Sequence, residues 1–150
     1  MLMDNGFHPD LTAAHPVNNR VHLVKSSEIS SDTGQSAGMQ RFAAVSGRFV
    51  GSEKMWMGEA TAQPQTVSGN HHHGDTETAI YVLSGHPQII YHDGEKEVRV
   101  TADPGDYVFV PPYLPHREEN PDPEIPARFV IARSSQEAVV VHLDHLYPLQ

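Results

Sequence analysis

Cysteine is absent from the 150-residue sequence. Disulfides and thiolate metal sites are therefore excluded, and any metal must rest on imidazole, carboxylate, backbone carbonyl or water. Basic residues are scarce. Ten Lys and Arg stand against 19 Asp and Glu, a net charge of −9 with His neutral. An acidic chain without a basic patch is a poor partner for nucleic acid or an anionic membrane surface, so neither is expected. No apolar run approaches the roughly 20 residues that cross a bilayer. The first residues, MLMDNGFHPDLTAAHPVNN, lack the basic and apolar segments of a signal peptide, and a soluble cytoplasmic protein is the expectation. Also missing are a convincing amphipathic helix, a phosphate-binding glycine loop and a credible Ser/His/Asp series. Nucleotide-driven and serine-nucleophile chemistry have no support here.

What is present is punctuation and short apolar runs. The chain carries 12 Pro and 11 Gly, which favour many turns and short strands. Strands are expected at Val21–Lys25, Met39–Val45, Met55–Thr61, Thr78–Leu83, Gln88–His92, Glu97–Thr101, Tyr107–Val110, Phe129–Ala132 and Val139–Leu143. His92-Asp93-Gly94 reads as a hairpin turn. Residues 1–20 are rich in Asn, Asp and Pro and read as an irregular arm, leaving 21–150 as a single domain. This rhythm predicts an all-β fold, an antiparallel sandwich or barrel.

Histidine supplies the chemistry. There are 11, and three are consecutive in the stretch GNHHHGDTETAIYVLSG from Gly69 to Gly85. Imidazole is the commonest protein metal ligand. On a strand, residues i and i+2 share a face, so His71 and His73 can aim at one point while His72 faces away. A second stretch, GDYVFVPPYLPHREEN from Gly105 to Asn120, places His116 after a proline-rich turn. Glu59, Glu118 and Glu119 could provide a base, but solvated surface carboxylates are the expected reading.

Together the two stretches resemble the cupin superfamily. Its first motif sets two histidines, two residues apart, before a Glu or Gln and a closing Gly. Its second runs Gly, Pro, Gly, His, Asn. Here His71, His73 and Gly85 match the first, and Gly105, Pro111, His116 and Asn120 the second, with Tyr113 standing where the family has Gly. The resemblance spans about residues 55–145. It implies a double-stranded β-helix, a small jelly-roll barrel, holding one divalent metal on His71, His73 and His116. The carboxylate position is ambiguous. It falls on Glu77 with one spacing and on Thr78 with the other, and His72, His92 or His22 are substitutes. Glu77 is the expected fourth ligand, and Glu77 and Tyr81 are the candidates to act on substrate. Zinc is the first expectation for the metal, with iron, nickel, copper or manganese compatible.

The pool for the barrel lining is Met55, Trp56, Met57, Ile80, Tyr81, Val82, Ile89, Tyr91, Phe109, Phe129 and Ile131. An apolar cavity over a metal favours a small carbonyl compound as substrate. The style of the histidine run is similar to that of cupin-type polyketide cyclases of aromatic antibiotic pathways. That resemblance implies metal-assisted aldol cyclisation of a polyketide precursor. A cupin dioxygenase using iron, copper or nickel, and a non-catalytic small-molecule-binding cupin, are the competing expectations. The resemblance also implies a homodimer, with the N-terminal arm available to cover an exposed strand edge.

Overall fold

A computed structural model of the protein describes residues 21–136 and 139–147. The arm expected over residues 1–20 lies outside the described residues. Eleven strands occur among them: β1 (Met39–Val45), β2 (Trp56–Ala62), β3 (Thr66–Val67), β4 (His71–His72), β5 (Thr78–Ser84), β6 (Gln88–His92), β7 (Glu97–Thr101), β8 (Tyr107–Val110), β9 (His116–Asn120), β10 (Ala127–Arg133) and β11 (Val141–His142). Among the described residues, helix is confined to a 3-10 turn at Ser26–Glu28 and one α-turn at Gly47–Val50. Among the described residues no helix is long and apolar enough to cross a membrane.

The strands form two antiparallel sheets. The first has the order β1-β2-β10-β5-β8, the second β11-β4-β9-β6-β7 with β3 also pairing to β9. Period-two alternation decides which side chains enter the space between them. On β2, Trp56, Gly58, Ala60 and Ala62 face inward, and on β10 Ala127, Phe129, Ile131 and Arg133 do so. The same alternation turns Met55, Met57 and Phe109 outward, where they are exposed, while Trp56, Ile80, Val82, Ile89, Phe129 and Ile131 are buried.

The hydrophobic core belongs mainly to the first sheet. Met39, Ala43, Trp56, Ala60, Ala62, Ile80, Ala127, Phe129 and Ile131 form one cluster. The alanines and Gly58 allow close approach. A Cβ on Gly58 would lie 2.1 Å from the Phe42 carbonyl oxygen and 2.7 Å from the Trp56 ring. Gly85, which closes the first motif, has φ +78° and packs on Ala127, whose Cα lies 2.7 Å from where a Cβ would be.

Seven expected strands coincide with observed ones or differ by a residue or two at the ends. The exceptions are instructive. Val21–Lys25 is not a strand, and only Val141–His142 pairs within the run expected at Val139–Leu143. Conversely β9, with the sequence HREEN, has no apolar residue to announce it. The Asp-Gly turn is a hairpin turn as expected, with Asp93 Oδ1 accepting from the N–H groups of Glu95 and Lys96 at 2.8 and 2.9 Å. Tyr113 has φ +61°. This is the left-handed region that glycine occupies without steric cost, which accounts for the family's Gly there. Here the bend is kept by the Tyr113 N–H donating to the Gly74 carbonyl at 2.7 Å.

Candidate metal centre

The two sequence stretches meet inside the second sheet. His71 begins β4 and is the register partner of His116, which begins β9. Alternation along β9 sends His116, Glu118 and Asn120 inward. His73 follows β4 by one residue and is buried. The result is a buried group of His71, His73, His116 and Glu118, whose donor atoms all lie within 4.8 Å of one another. The three imidazole ring centres are 4.5, 4.9 and 5.1 Å apart.

Hydrogen bonds behind the rings select their tautomers. Nδ1 of His71 lies 2.7 Å from the Gly69 carbonyl oxygen, Nδ1 of His73 2.7 Å from that of Val139, and Nδ1 of His116 2.9 Å from that of Leu114. A carbonyl oxygen only accepts, so each Nδ1 carries a proton and donates it. In the neutral ring the Nε2 lone pair is then left for the centre of the group. Such backing bonds are a regular property of metal-ligating histidines. His71 Nε2 is buried with no hydrogen-bond partner, and its nearest carboxylate oxygen, Oε2 of Glu118, is 3.4 Å away. Glu118 is itself positioned by Ser68, whose hydroxyl donates to Oε2 at 2.9 Å and accepts from the Glu118 N–H at 2.8 Å. The donor set, the orphaned Nε2 and the fixed tautomers fit a divalent cation.

The electrostatics agree. Burial, then the positive charges of Arg133 and His116, push the His73 imidazole down to about 3, so it is neutral near pH 7. Burial works against ionisation of Glu118, but the charge and hydrogen bond of His116, with contacts from His71, outweigh it and hold the carboxyl well below its usual range. Burial likewise opposes the His116 cation, and the Glu118 carboxylate more than offsets this, raising His116. The Glu118 carboxylate therefore favours a proton on His116 in the absence of metal. A metal would displace that proton, so binding tightens as pH rises.

The signs predict an acid limb of stability. His73 has a depressed folded-state value, so its contribution is intact above its ordinary 6.5 and is lost as pH falls toward about 3. Glu118 is depressed too, and its contribution disappears at lower pH, below the ordinary 4.5. His116 has the opposite sign, fully stabilising below 6.5 and fading as pH rises through its raised value. The urea midpoint of metal-free protein is expected to drop as pH falls from 6.5 toward 3, and His73→Asn to flatten the upper part of that limb. An unchanged pH profile in the variant contradicts the assignment.

Three of the four residues expected as ligands lie together in the structure, and Glu118 stands beside them where Glu77 was expected. Glu77 is exposed and does not reach the group. Its N–H donates to the Ser134 hydroxyl at 2.9 Å. Its neighbours Thr76 and Thr78 are the buried ones, and no local bulge turns Glu77 inward. Thr78 faces inward, so neither residue supplies the carboxylate. Glu118 does, at 7% exposure, correcting its reading as a solvated surface carboxylate. Tyr81 points to the outer face of β5, its ring 4.9 Å from that of Tyr107, which is 80% exposed. It is not part of the buried group. His72 is turned away as expected, with Nδ1 accepting from the Gly74 N–H at 2.9 Å. His92 stacks on Tyr147 at 4.3 Å, and neither it nor His22 belongs to the group. Asn120 is structural, its amide donating to the carbonyls of Ala62 and Ile125 at 3.0 and 2.9 Å.

An antiparallel two-sheet barrel with a buried three-His, one-Glu group defines a small metal-site barrel protein. The cupin-domain family model matches residues 58–133, half of the chain. The chain belongs to the cupin family. Similar solved structures include oxalate decarboxylase from Bacillus subtilis, at 21% identity and TM-score 0.62, covering 73% of this chain and 28% of that one. A structure of oxalate decarboxylase addressing its reaction-specificity switch gives 19% identity, TM-score 0.63 and coverages of 75% and 30%. A tryptophan-to-tyrosine variant of the Bacillus subtilis enzyme gives 24% identity, TM-score 0.62 and coverages of 72% and 29%. The chain thus spans less than a third of the length of these proteins, and the likeness is one of fold. No curated protein matches.

Proposed function

We propose that this chain is a metal-dependent cupin enzyme acting on a small carbonyl compound, with His71, His73, His116 and Glu118 holding one divalent ion. The observation that carries this reading is the buried His71 Nε2 without a partner, set among three imidazoles whose Nδ1 atoms are all bonded to carbonyls. Such a metal, when bound, acts as a Lewis acid on a carbonyl oxygen. The protein's own part is to bind and orient. A cavity of about 510 Å³ between the open edges of the two sheets is lined by Ile89, Tyr91, Val100, Val108, Val110 and Leu114 among others. Ile89 and Tyr91 are register partners of Glu118 and His116, so this apolar wall adjoins the group. Packing there would exclude water and fold a flexible substrate. Aldol cyclisation of an aromatic polyketide precursor is the most concrete form of the proposal.

A second reading is favoured by the carboxylate. Three imidazoles and one Glu accept zinc but also suit manganese and iron. Oxalate decarboxylase of Bacillus subtilis has Mn(II) centres. A manganese or iron site would make oxygen-dependent chemistry the alternative. Elemental analysis of purified protein, paired with assays in air and under argon, separates the two. One zinc per chain with oxygen-independent turnover supports the first. Iron or manganese with oxygen-dependent turnover supports the second. Protein never exposed to chelator that holds no metal overturns both.

We also propose a homodimer. β8 is an edge strand carrying Tyr107 and Phe109 exposed on its outer face, a hazard that pairing would cover. Light scattering at micromolar concentration is expected to give twice the chain mass.

A further inference from the structure

Two arginines are buried in the barrel, Arg41 at 1% and Arg133 at 4% exposure. Arginine is almost never fully buried unless its charge is answered. Among the described buried residues the only carboxylate is Glu118, which the metal group already claims. Two guanidinium groups therefore face one carboxylate, and a divalent ion would add to the excess of positive charge. The hydrogen bonds show the same deficit. Nε and Nη1 of Arg133 are buried with no partner, as is Nε of Arg41, whose Nη1 makes only a long 3.4 Å contact with the Gly34 carbonyl.

Register places a further orphan beside Arg133. Trp56, Arg133, Thr78 and Val110 form one inward-facing row across β2, β10, β5 and β8. The Arg133 guanidinium lies 5.2 Å over the Trp56 ring, which fixes its plane on one side. On β5, the strand flanking β10 on its other edge, the Thr78 hydroxyl is buried and unpartnered. Val110, the next residue in the row, lines the apolar cavity. Arg133 also acts electrostatically on His73 and His116, which places its charge within range of the metal group. Unsatisfied buried donors of this kind cost stability and call for a partner.

We infer that Arg133 and Thr78, with Arg41 adding charge, form an anion subsite that takes the carboxylate of a small oxo-carboxylic acid. This rests on the proposed metal-dependent function for the second half of the ligand, whose ketone would face the metal group. Guanidinium matches a planar carboxylate in charge and shape, and charge-assisted bonds are roughly twice as strong as neutral ones.

The test compares levulinate, a 4-oxo acid, with levulinamide, its uncharged isostere, by calorimetry and by fluorescence of Trp56, the sole tryptophan. Metal-loaded protein is expected to bind the acid at least tenfold more tightly, with a change in Trp56 emission only for the acid. Arg133→Gln should abolish the preference and Thr78→Val should reduce it at least threefold, both with wild-type metal content. Equal binding of acid and amide, or binding of neither at millimolar concentration, overturns the subsite. So does an acid preference that persists in both variants, since the carboxylate then sits elsewhere. If Arg133→Gln fails to fold, the wild-type comparison and Thr78→Val decide. Metal-free protein separates the two ideas. A Thr78-dependent acid preference in a chain that takes up no metal retains the subsite and removes the metal reading. Full metal content without acid preference does the reverse.

Discussion

Glu118→Gln is expected to weaken metal binding by about 100-fold or more, since even partners outside the coordination shell cost 10–100-fold. The substitution keeps the shape of the side chain and its contact with the Ser68 hydroxyl but removes the charge. What remains is three neutral imidazoles in a buried site with two arginines nearby, an arrangement that repels a cation. His116→Ala should be equally damaging to metal uptake and worse for the fold. It removes a ligand and leaves Glu118 buried without its partner, and breaking a buried pair costs about 3–5 kcal/mol. Glu77→Gln serves as the control, since Glu77 is exposed and tied to Ser134. Elemental analysis after dialysis against stoichiometric metal reads all three variants. Wild-type metal content in both Glu118→Gln and His116→Ala, or loss of metal in Glu77→Gln, would refute the site as drawn.

The second large effect belongs to Gly58. Ala at this position must place its Cβ against a backbone oxygen at 2.1 Å and the Trp56 ring at 2.7 Å. A flexible side chain could yield, but the Phe42 carbonyl is held in the β1–β2 pairing. Overpacking costs typically 1–3 kcal/mol, and a clash with backbone puts Gly58→Ala at the top of that range, about 3 kcal/mol. At roughly 2–4 °C per kcal/mol for a chain of this size, the melting temperature should fall by about 6–12 °C. Trp56 emission should shift with it. Gly69→Ala is the comparison, because nothing lies within 4 Å of its added Cβ. Equal melting temperatures for the two variants would contradict the packing described.

The apolar strands were legible because their signal is periodic. Glu97–Thr101 alternates polar and apolar, Gln88–His92 is a short apolar run, the two flank a turn with an obvious sequence, and both occur where expected. The convergence of His71 and His73 was legible from spacing, since the two share a face of an extended chain. Glu118 was hidden for a physical reason. Hydrophobic periodicity finds strands that bury carbon, whereas β9 buries His116, Glu118 and Asn120, and each is polar. The available signal was the two-residue step from His116 to Glu118, the same step that links His71 to His73. Arg41 and Arg133 were hidden likewise. Each occupies an inward position among otherwise apolar inward-facing residues of its strand, and only the neighbouring strands reveal what faces it.

The bond from His73 to the Val139 carbonyl spans 66 residues of sequence. The other two imidazoles are backed by carbonyls two residues away. Val141 pairs with His72, and the Leu143 N–H donates to the Asn70 carbonyl at 2.9 Å, so the segment from Val139 to Leu143 lies along the histidine triplet. The His73 imidazole is therefore backed only when the segment from Val139 to Leu143 is in place. Metal affinity and docking of this segment become two readings of one equilibrium. An ion that prefers the completed site pulls the segment home, and a chain shortened before Val139 loses the lock on His73 while keeping every ligand in its sequence.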